Sequence, residues 1–318
     1  MPEPPTLVRR GRLLRIGGAV VVLLAVASYL VVQYVSGGRP APRCAVVSGN
    51  GDGASYRFTA EQAVNAATIS AVGTSRGMPE RAVTIALATA LQESGLRNIH
   101  HGDRDSLGLF QQRPSEGWGT QAQIMDPVYA AGRFYAHLDR IPGYSRLPLT
   151  VAAQRVQRSG YPQAYAKHEP DATLLAAALT GRSGASLTCE GRPSGTEGRK
   201  PGDPAKVRAA LVRDFGPGVA PVAGRGPREV SVPVPATMDS AEGGERQRGW
   251  ELAHWAVANS SALHIERVSY AGRVWTAGDA GGRWSASAHK ASAGKDSAGK
   301  TSARDEKGVG EVRIVTAQ

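Results

Sequence analysis

Cysteine is nearly absent from this chain: 318 residues hold two, Cys44 and Cys189. That excludes a small scaffold stapled by several disulfides, and no cysteine spacing suited to redox or zinc chemistry is present. Aromatic residues make up only 6%, whereas Gly and Pro number 39 and 20. Such a composition argues against one continuous core and for compact modules joined by loose connections. Acidic residues are in deficit, 27 against 38 Lys and Arg, for a net charge of +11. The imbalance asks for an anionic partner: nucleic acid, anionic lipid or the acidic polymers of a bacterial wall. No nucleic-acid-binding signature accompanies the charge, so nucleic acid is set aside. Long apolar runs are also lacking, with one exception. A single run excludes a transporter, since one helix makes no pathway without partners.

That run is Ile16 to Val35, preceded by Arg9, Arg10, Arg12 and Arg15. At roughly 20 residues it is long enough to span a bilayer as a helix, and positive charge on its near side keeps the N-terminus in the cytoplasm. The expectation is a single-pass protein of the cell membrane: a cytoplasmic tail over 1–15, a transmembrane anchor over 16–35 and the bulk of the chain outside. The rival is a cleaved signal peptide with Ala25-Val26-Ala27 at the cleavage position. Apolar sequence continuing past Ser28 through Val32 favours the anchor. An extracytoplasmic address permits a disulfide between Cys44 and Cys189 that ties the start of the next domain to its end. Two free buried thiols are the alternative.

Residues 36–55, rich in Gly, Pro and Ser, read as a stalk. Thr59 with Gln62 forms a capping box, and Ala60, Ala63, Val64, Ala67, Ala71 and Val72 follow at helical spacing. A second helix starts around Pro79, runs through Val83, Leu87 and Leu91 and stops at Gly95. Asn98 to Trp118 is loop. Asp126-Pro127 caps the next helix, Thr150 another, and Asp171 a last one that Gly181 stops. The expectation over 56–190 is therefore an all-helical domain. Residues 191–245 read as a linker with one helix opened by Asp203-Pro204, then Val230, Val232 and Val234 as an edge strand. Residues 246–318 read as a small α+β module with a helix around Trp250, a hairpin over 268–276, a low-complexity insertion at 286–307 and a closing strand at Val312 to Thr316. The fold class expected is mainly α.

Glu93 is the sharpest candidate for chemistry. It ends a helix that is otherwise Ala, Val, Ile and Leu, so its carboxyl lies against apolar surface. Desolvation raises the pKa of such a group, as a general acid near neutrality needs. Cleaving a glycosidic bond uses an acid of this kind to protonate the departing oxygen. Adjacent His100 and His101 with Asp103 form no spaced ligand set, so neither metal nor other cofactor is expected.

Gln92-Glu93-Ser94-Gly95-Leu96, followed by Ser106-Leu107-Gly108-Leu109-Phe110-Gln111 and Pro114, resembles the soluble lytic transglycosylase and goose-type lysozyme family. Its members carry a Glu-Ser pair and then a Gly-Leu-Met-Gln-type turn before a proline. A nearer likeness is to actinobacterial wall-hydrolase-like proteins, in which Asp105 to Pro114 and Gly117-Trp118-Gly119 find counterparts. The resemblance implies a lysozyme-like fold that cuts the MurNAc–GlcNAc β-1,4 bond of peptidoglycan. Glu93 carries over as the catalytic acid and Ser94 as the residue orienting it. Gly108, Leu109, Phe110, Gln111 and Gln112 line the sugar cleft. Apart from the resemblance, Trp118 and Tyr129 read either as rings that stack on sugar faces or as core. The family's third motif, Ala-Tyr-Asn, is not matched: the chain offers Ala153-Gln154 or Ala164-Tyr165-Ala166, leaving Gln157 and Tyr165 as substitutes.

A lytic transglycosylase uses one carboxylate. It donates a proton, the substrate's N-acetyl group assists, and the same carboxylate then takes the proton of the 6-hydroxyl to leave a 1,6-anhydro end. Asp103 and Asp105 flank the site but read as loop caps. The expectation is an extracytoplasmic, peptidoglycan-cleaving enzyme whose C-terminal module meets cell-wall or division proteins. The alternative is a catalytically silent wall-binding or scaffold protein.

Overall fold

The computed structural model describes residues 17–29, 43–158, 162–190, 201–234, 244–279, 282–287 and 310–318. The chain divides into two compact units, Met1–Ala41 and Pro42–Gln318. In the first, residues 17–29 form helix α1, with Val21, Leu23 and Leu24 exposed. The expected tail, both ends of the expected anchor and residues 36–42 of the stalk lie outside the described residues. Among the described residues no helix is long and apolar enough to cross a membrane.

The second unit is mixed α/β with two antiparallel sheets, which overturns the expectation of a mainly α protein with an all-helical domain over 56–190. Strand β1 (Arg43–Val47) pairs with β2 (Ser55–Thr59) on one side and with β3 (Leu187–Cys189) on the other. Residues 43–47, read as stalk, are thus the middle strand of a sheet. Only Cys44 and Val46 point inward from β1, and two inward positions are too few for alternation to register. The register sets Cys44 opposite Cys189, and the two are bonded across a separation of 145 residues. Closing so long a loop restricts the unfolded chain by about 4–5 kcal/mol in the chain-entropy picture.

Helix α2 (Ala60–Ser75) starts at the Thr59–Gln62 capping box, each residue bonding the other's backbone N–H. Almost every residue from Ala63 to Gly73 is buried, so α2 is a central helix surrounded on all sides. Helix α3 (Glu80–Ser94) follows Pro79 and ends at Gly95 in the left-handed conformation. Then come α4 (Gln121–Ile124), α5 (Pro127–Leu138, capped by Asp126), α6 (Leu149–Gln157) and α7 (Glu169–Leu179). Thr150 and Asp171 lie inside the first turns of α6 and α7; the N-cap positions are Pro148 and His168, neither of which makes a side-chain cap bond.

Helix α8 (Pro204–Phe215) begins at Asp203 as expected. Strands β4 (Val222–Ala223) and β5 (Glu229–Pro233) come next, then α9 (Glu245–Ala258), α10 (Ser260–Leu263), β6 (Ile265–Tyr270), β7 (Arg273–Thr276), β8 (Ser285–Ala286) and β9 (Glu311–Thr316). The second sheet has the order β4-β5-β9-β6-β7-β8. Strand β9 is the closing strand expected over Val312 to Thr316, but β5 is not the edge strand expected, because β4 and β9 pair with it on its two sides. Most of the insertion at 286–307 lies outside the described residues.

By helical spacing, Trp250, Ala253 and Val257 share one face of α9, with Leu252, Trp255 and Ala256 beside them. Every residue from Gly249 to Ala258 is buried, because α9 packs against α2, α7, β3, β6 and β9. Gly181, the stop of α7, also makes room here. It has φ +78, and a Cβ on it would stand 1.8 Å from the Gln247 carbonyl oxygen. The joint is closed by Asp214 of α8, which is 2% exposed. Its carboxylate accepts from Thr68 Oγ1 of α2 at 3.0 Å, Trp255 Nε1 of α9 at 2.8 Å and Arg213 at 2.8 Å.

Removing that acceptor strands two buried donors. Asp214→Ala is expected to destabilise the chain by about 2–5 kcal/mol, read as a lower denaturation midpoint in calorimetry or urea. An unchanged midpoint would show that the three helices are held by apolar contact alone.

Candidate functional site

Glu93 lies in the last turn of α3, half-buried. Burial pushes its carboxyl above the ordinary glutamate value of 4.5, and hydrogen bonds from Tyr165 and Gln157 pull partly the other way. Tyr165 is fully buried on the 3-10 helix Pro162–His168, and its hydroxyl donates to Glu93 Oε1 at 2.7 Å. Gln157, the last residue of α6, bonds the same carboxyl and donates from Nε2 to the Phe110 carbonyl at 2.7 Å. The structure therefore brings both substitutes for the missing third motif onto Glu93 itself.

Ser94 does not face open space. It is buried, and its Oγ donates to the Leu109 carbonyl at 2.8 Å and accepts from the Arg97 N–H at 3.2 Å. It clamps the end of α3 to the Gly108–Gln111 turn and so fixes where Glu93 stands. The turn is a narrow loop closed by paired backbone bonds between Leu107 and Gln112, both 3.0 Å. Gly108 has φ +76, and a Cβ there would meet the Ile124 carbonyl oxygen at 2.8 Å; no other residue fits without shifting α4.

The side chains of Leu109 and Phe110 are fully buried, Phe110 stacked on Phe134 with centroids 4.7 Å apart. Their part in the site is played by their carbonyls, which receive Ser94 and Gln157. Gln111 adopts φ +48 and folds its amide back onto the Gly108 and His101 carbonyls. Gln112 donates to the Ala130 carbonyl at 3.0 Å, and its Oε1 is buried with no hydrogen-bond partner among the described residues.

Beside this cluster opens a cleft of about 580 Å³. Gln111, Gln112 and Gln157 line it, as do Trp118 and His137, whose rings lie 4.2 Å apart. Glu93 and Tyr165 are not on its wall; Gln157 spans from the cleft to the Glu93 carboxyl. Asp105 is fully engaged elsewhere, accepting from the Ser115 N–H at 2.8 Å and Arg113 Nε at 2.9 Å. The Ser115 backbone bond and the Arg113 guanidinium hold its carboxyl well below the usual range, so it braces the loop. Sequence reasoning overlooked His137 and the arginines of the cleft, Arg113, Arg140, Arg155 and Arg158. They stand too far apart along the chain to form a motif.

Residues 230–298 match the family of the VldE C-terminal domain. No curated protein matches the chain. The matched stretch runs from β5 across α9 and α10 to β8. It contains none of the residues around Glu93, so it bears on the C-terminal part alone.

Tyr165→Phe removes a donor that favours the ionised carboxylate. The pKa of Glu93 is then expected to rise, which moves the alkaline limb of any kcat/KM profile to higher pH. A limb that stays in place would separate Glu93 from the rate.

Proposed function

We propose that the chain cleaves the MurNAc–GlcNAc β-1,4 bond of peptidoglycan outside the cytoplasm, with Glu93 as the single catalytic carboxylate. The observation that carries the reading is the setting of Glu93. Its carboxyl is half-buried and keeps its proton to higher pH than an ordinary glutamate. It is held by Tyr165 and Gln157 at the side of a cleft with aromatic and amide walls. The one carboxylate lining the cleft, Glu116, is ion-paired with Arg113 at 3.2 Å. Asp105 is ion-paired as well, and among the described residues no other carboxylate lines the cleft, which supports a single-carboxylate scheme over a two-carboxylate hydrolase.

In this scheme protonated Glu93 gives its proton to the glycosidic oxygen as the C1–O bond breaks. The substrate's N-acetyl oxygen bonds to C1 and bears the positive charge. Glu93, now a carboxylate stabilised by the Tyr165 hydroxyl and the Gln157 amide, takes the proton from the 6-hydroxyl. That oxygen displaces the N-acetyl group and leaves a 1,6-anhydro end. The Cys44–Cys189 bond supports an oxidising compartment, and the basic, then apolar, N-terminus supports export.

The full chain, rather than a fragment ending near residue 200, is the reagent for the test, because α9 covers α2 and α7. Incubated with wall sacculi, it should release fragments whose ends are lighter by one water. Glu93→Gln should lower release by about 10²–10⁴-fold. Equal release by the variant, or none by the wild type, defeats the proposal; capture of sacculi without release would instead favour a wall-binding protein.

Stability gives an independent measure. A carboxyl whose folded pKa is raised contributes its full stability below the unfolded value, and that contribution is lost as pH rises through the folded value. Glu93→Gln should therefore melt like the wild type below pH 4.5 and at higher temperature near neutrality. A constant difference at both would mean that Glu93 does not hold its proton in the fold.

A further inference from the structure

The cleft beside Glu93 is lined by four guanidiniums and one carboxylate. Arg113 is neutralised, with Asp105 at 2.9 Å and Glu116 at 3.2 Å. Arg140, Arg155 and Arg158 make no ion pair with any described residue, and all three are exposed. Arg140 stands two residues past the end of α5, and Arg155 and Arg158 stand three apart at the end of α6. A stripe of solvated arginines along one helix would spread its charges, whereas these share one concavity. Like charges there repel, and the walls concentrate their field on whatever enters.

Two details make the arrangement specific. Every cation on the wall is arginine and none is lysine, and the planar fork of arginine suits a carboxylate, which it can bind through two parallel hydrogen bonds. Arg158 also occupies the left-handed position after α6, with φ +52. Glycine ordinarily stands at such a position, and a side chain there is strained.

We infer that the cleft carries a carboxylate subsite, formed by Arg140, Arg155 and Arg158, that seats an acidic group borne by the glycan strand next to the bond being cut. The strand itself comes from the proposed function, but anion binding needs no proton from Glu93. Wall glycan has two sources of carboxylate: the lactyl group of a muramic acid stripped of its peptide, and the peptide stems themselves. The subsite orients the strand, and Trp118 with the glutamines holds its neutral part.

The test uses the full chain carrying Glu93→Gln, so that nothing is consumed, and compares three probes by calorimetric titration. These are a bare MurNAc–GlcNAc tetrasaccharide with free lactyl carboxylates, the same glycan bearing peptide stems, and neutral chitotetraose. At least one carboxylated probe should bind about ten-fold tighter than chitotetraose, and which one does so identifies the source. Adding Arg155→Gln with Arg158→Gln should erase that preference and leave chitotetraose binding as it was. Lys206→Gln, which removes one positive charge from exposed α8, should change nothing. Equal binding of all three probes overturns the subsite. So does a preference that survives the double arginine change or falls as far with Lys206→Gln. Cleavage by the wild type without the preference removes the subsite alone, and the preference without cleavage removes the cleavage reading alone.

Discussion

Helix α2 has almost no exposed surface, and that burial sets terms for everything around it. Water is out of reach there, so a polar group inside it gains most from a partner in protein, and Ser70 Oγ is the exception that stays without one among the described residues. Asn65 donates to the Leu96 carbonyl just past α3, and Thr68 to Asp214 of α8. Thr74 reaches Glu251 of α9, and the Ile69 carbonyl receives the hydroxyl of Tyr135 from α5 at 3.0 Å. Each bond reaches a different element. The helix thus fixes where α3 ends, and with it where Glu93 stands.

From that point the site is built by a second demand. A half-buried carboxyl at a helix C-terminus meets the negative end of the helix dipole as well as lost hydration. It needs donors, and it takes them from α6 and from the 3-10 helix Pro162–His168. Those donors are held in turn: Gln157 by the Phe110 carbonyl, and Phe110 by its stack on Phe134. Ser94 ties the same turn to α3. The loop over 98–126 is therefore part of the frame that holds the proton, and its apolar residues act by being buried.

The two sheets enclose this helical centre unequally. The small one is clamped by the Cys44–Cys189 bond, while the larger one is backed by α9, whose Trp250 and Trp255 are buried against the same core as α2. A Gly- and Pro-rich composition suggested modules on loose connections. The buried network at Asp214 instead makes α2, α8 and α9 dependent on one another, which is why a fragment containing only the Glu93 region leaves apolar surface uncovered.

The amino-acid order alone was enough for the local chemistry. The Thr59–Gln62 box, the Asp126-Pro127 and Asp203-Pro204 starts, the Gly95 stop and the 268–276 hairpin are all signals within three or four residues, where backbone groups and nearby side chains settle the matter. Glu93 at the end of an apolar helix was legible for the same reason. The sheets were not. β1 has two inward residues and β3 has three residues in all, too few to show a period, and β9 meets β5 and β6 only across long intervals. Nor could spacing show that Tyr165, 72 residues beyond Glu93, donates to it, or that Arg140, Arg155 and Arg158 share a cleft. Convergence of that kind depends on how the elements pack, since only burial decides which distant donor replaces the water that Glu93 has lost.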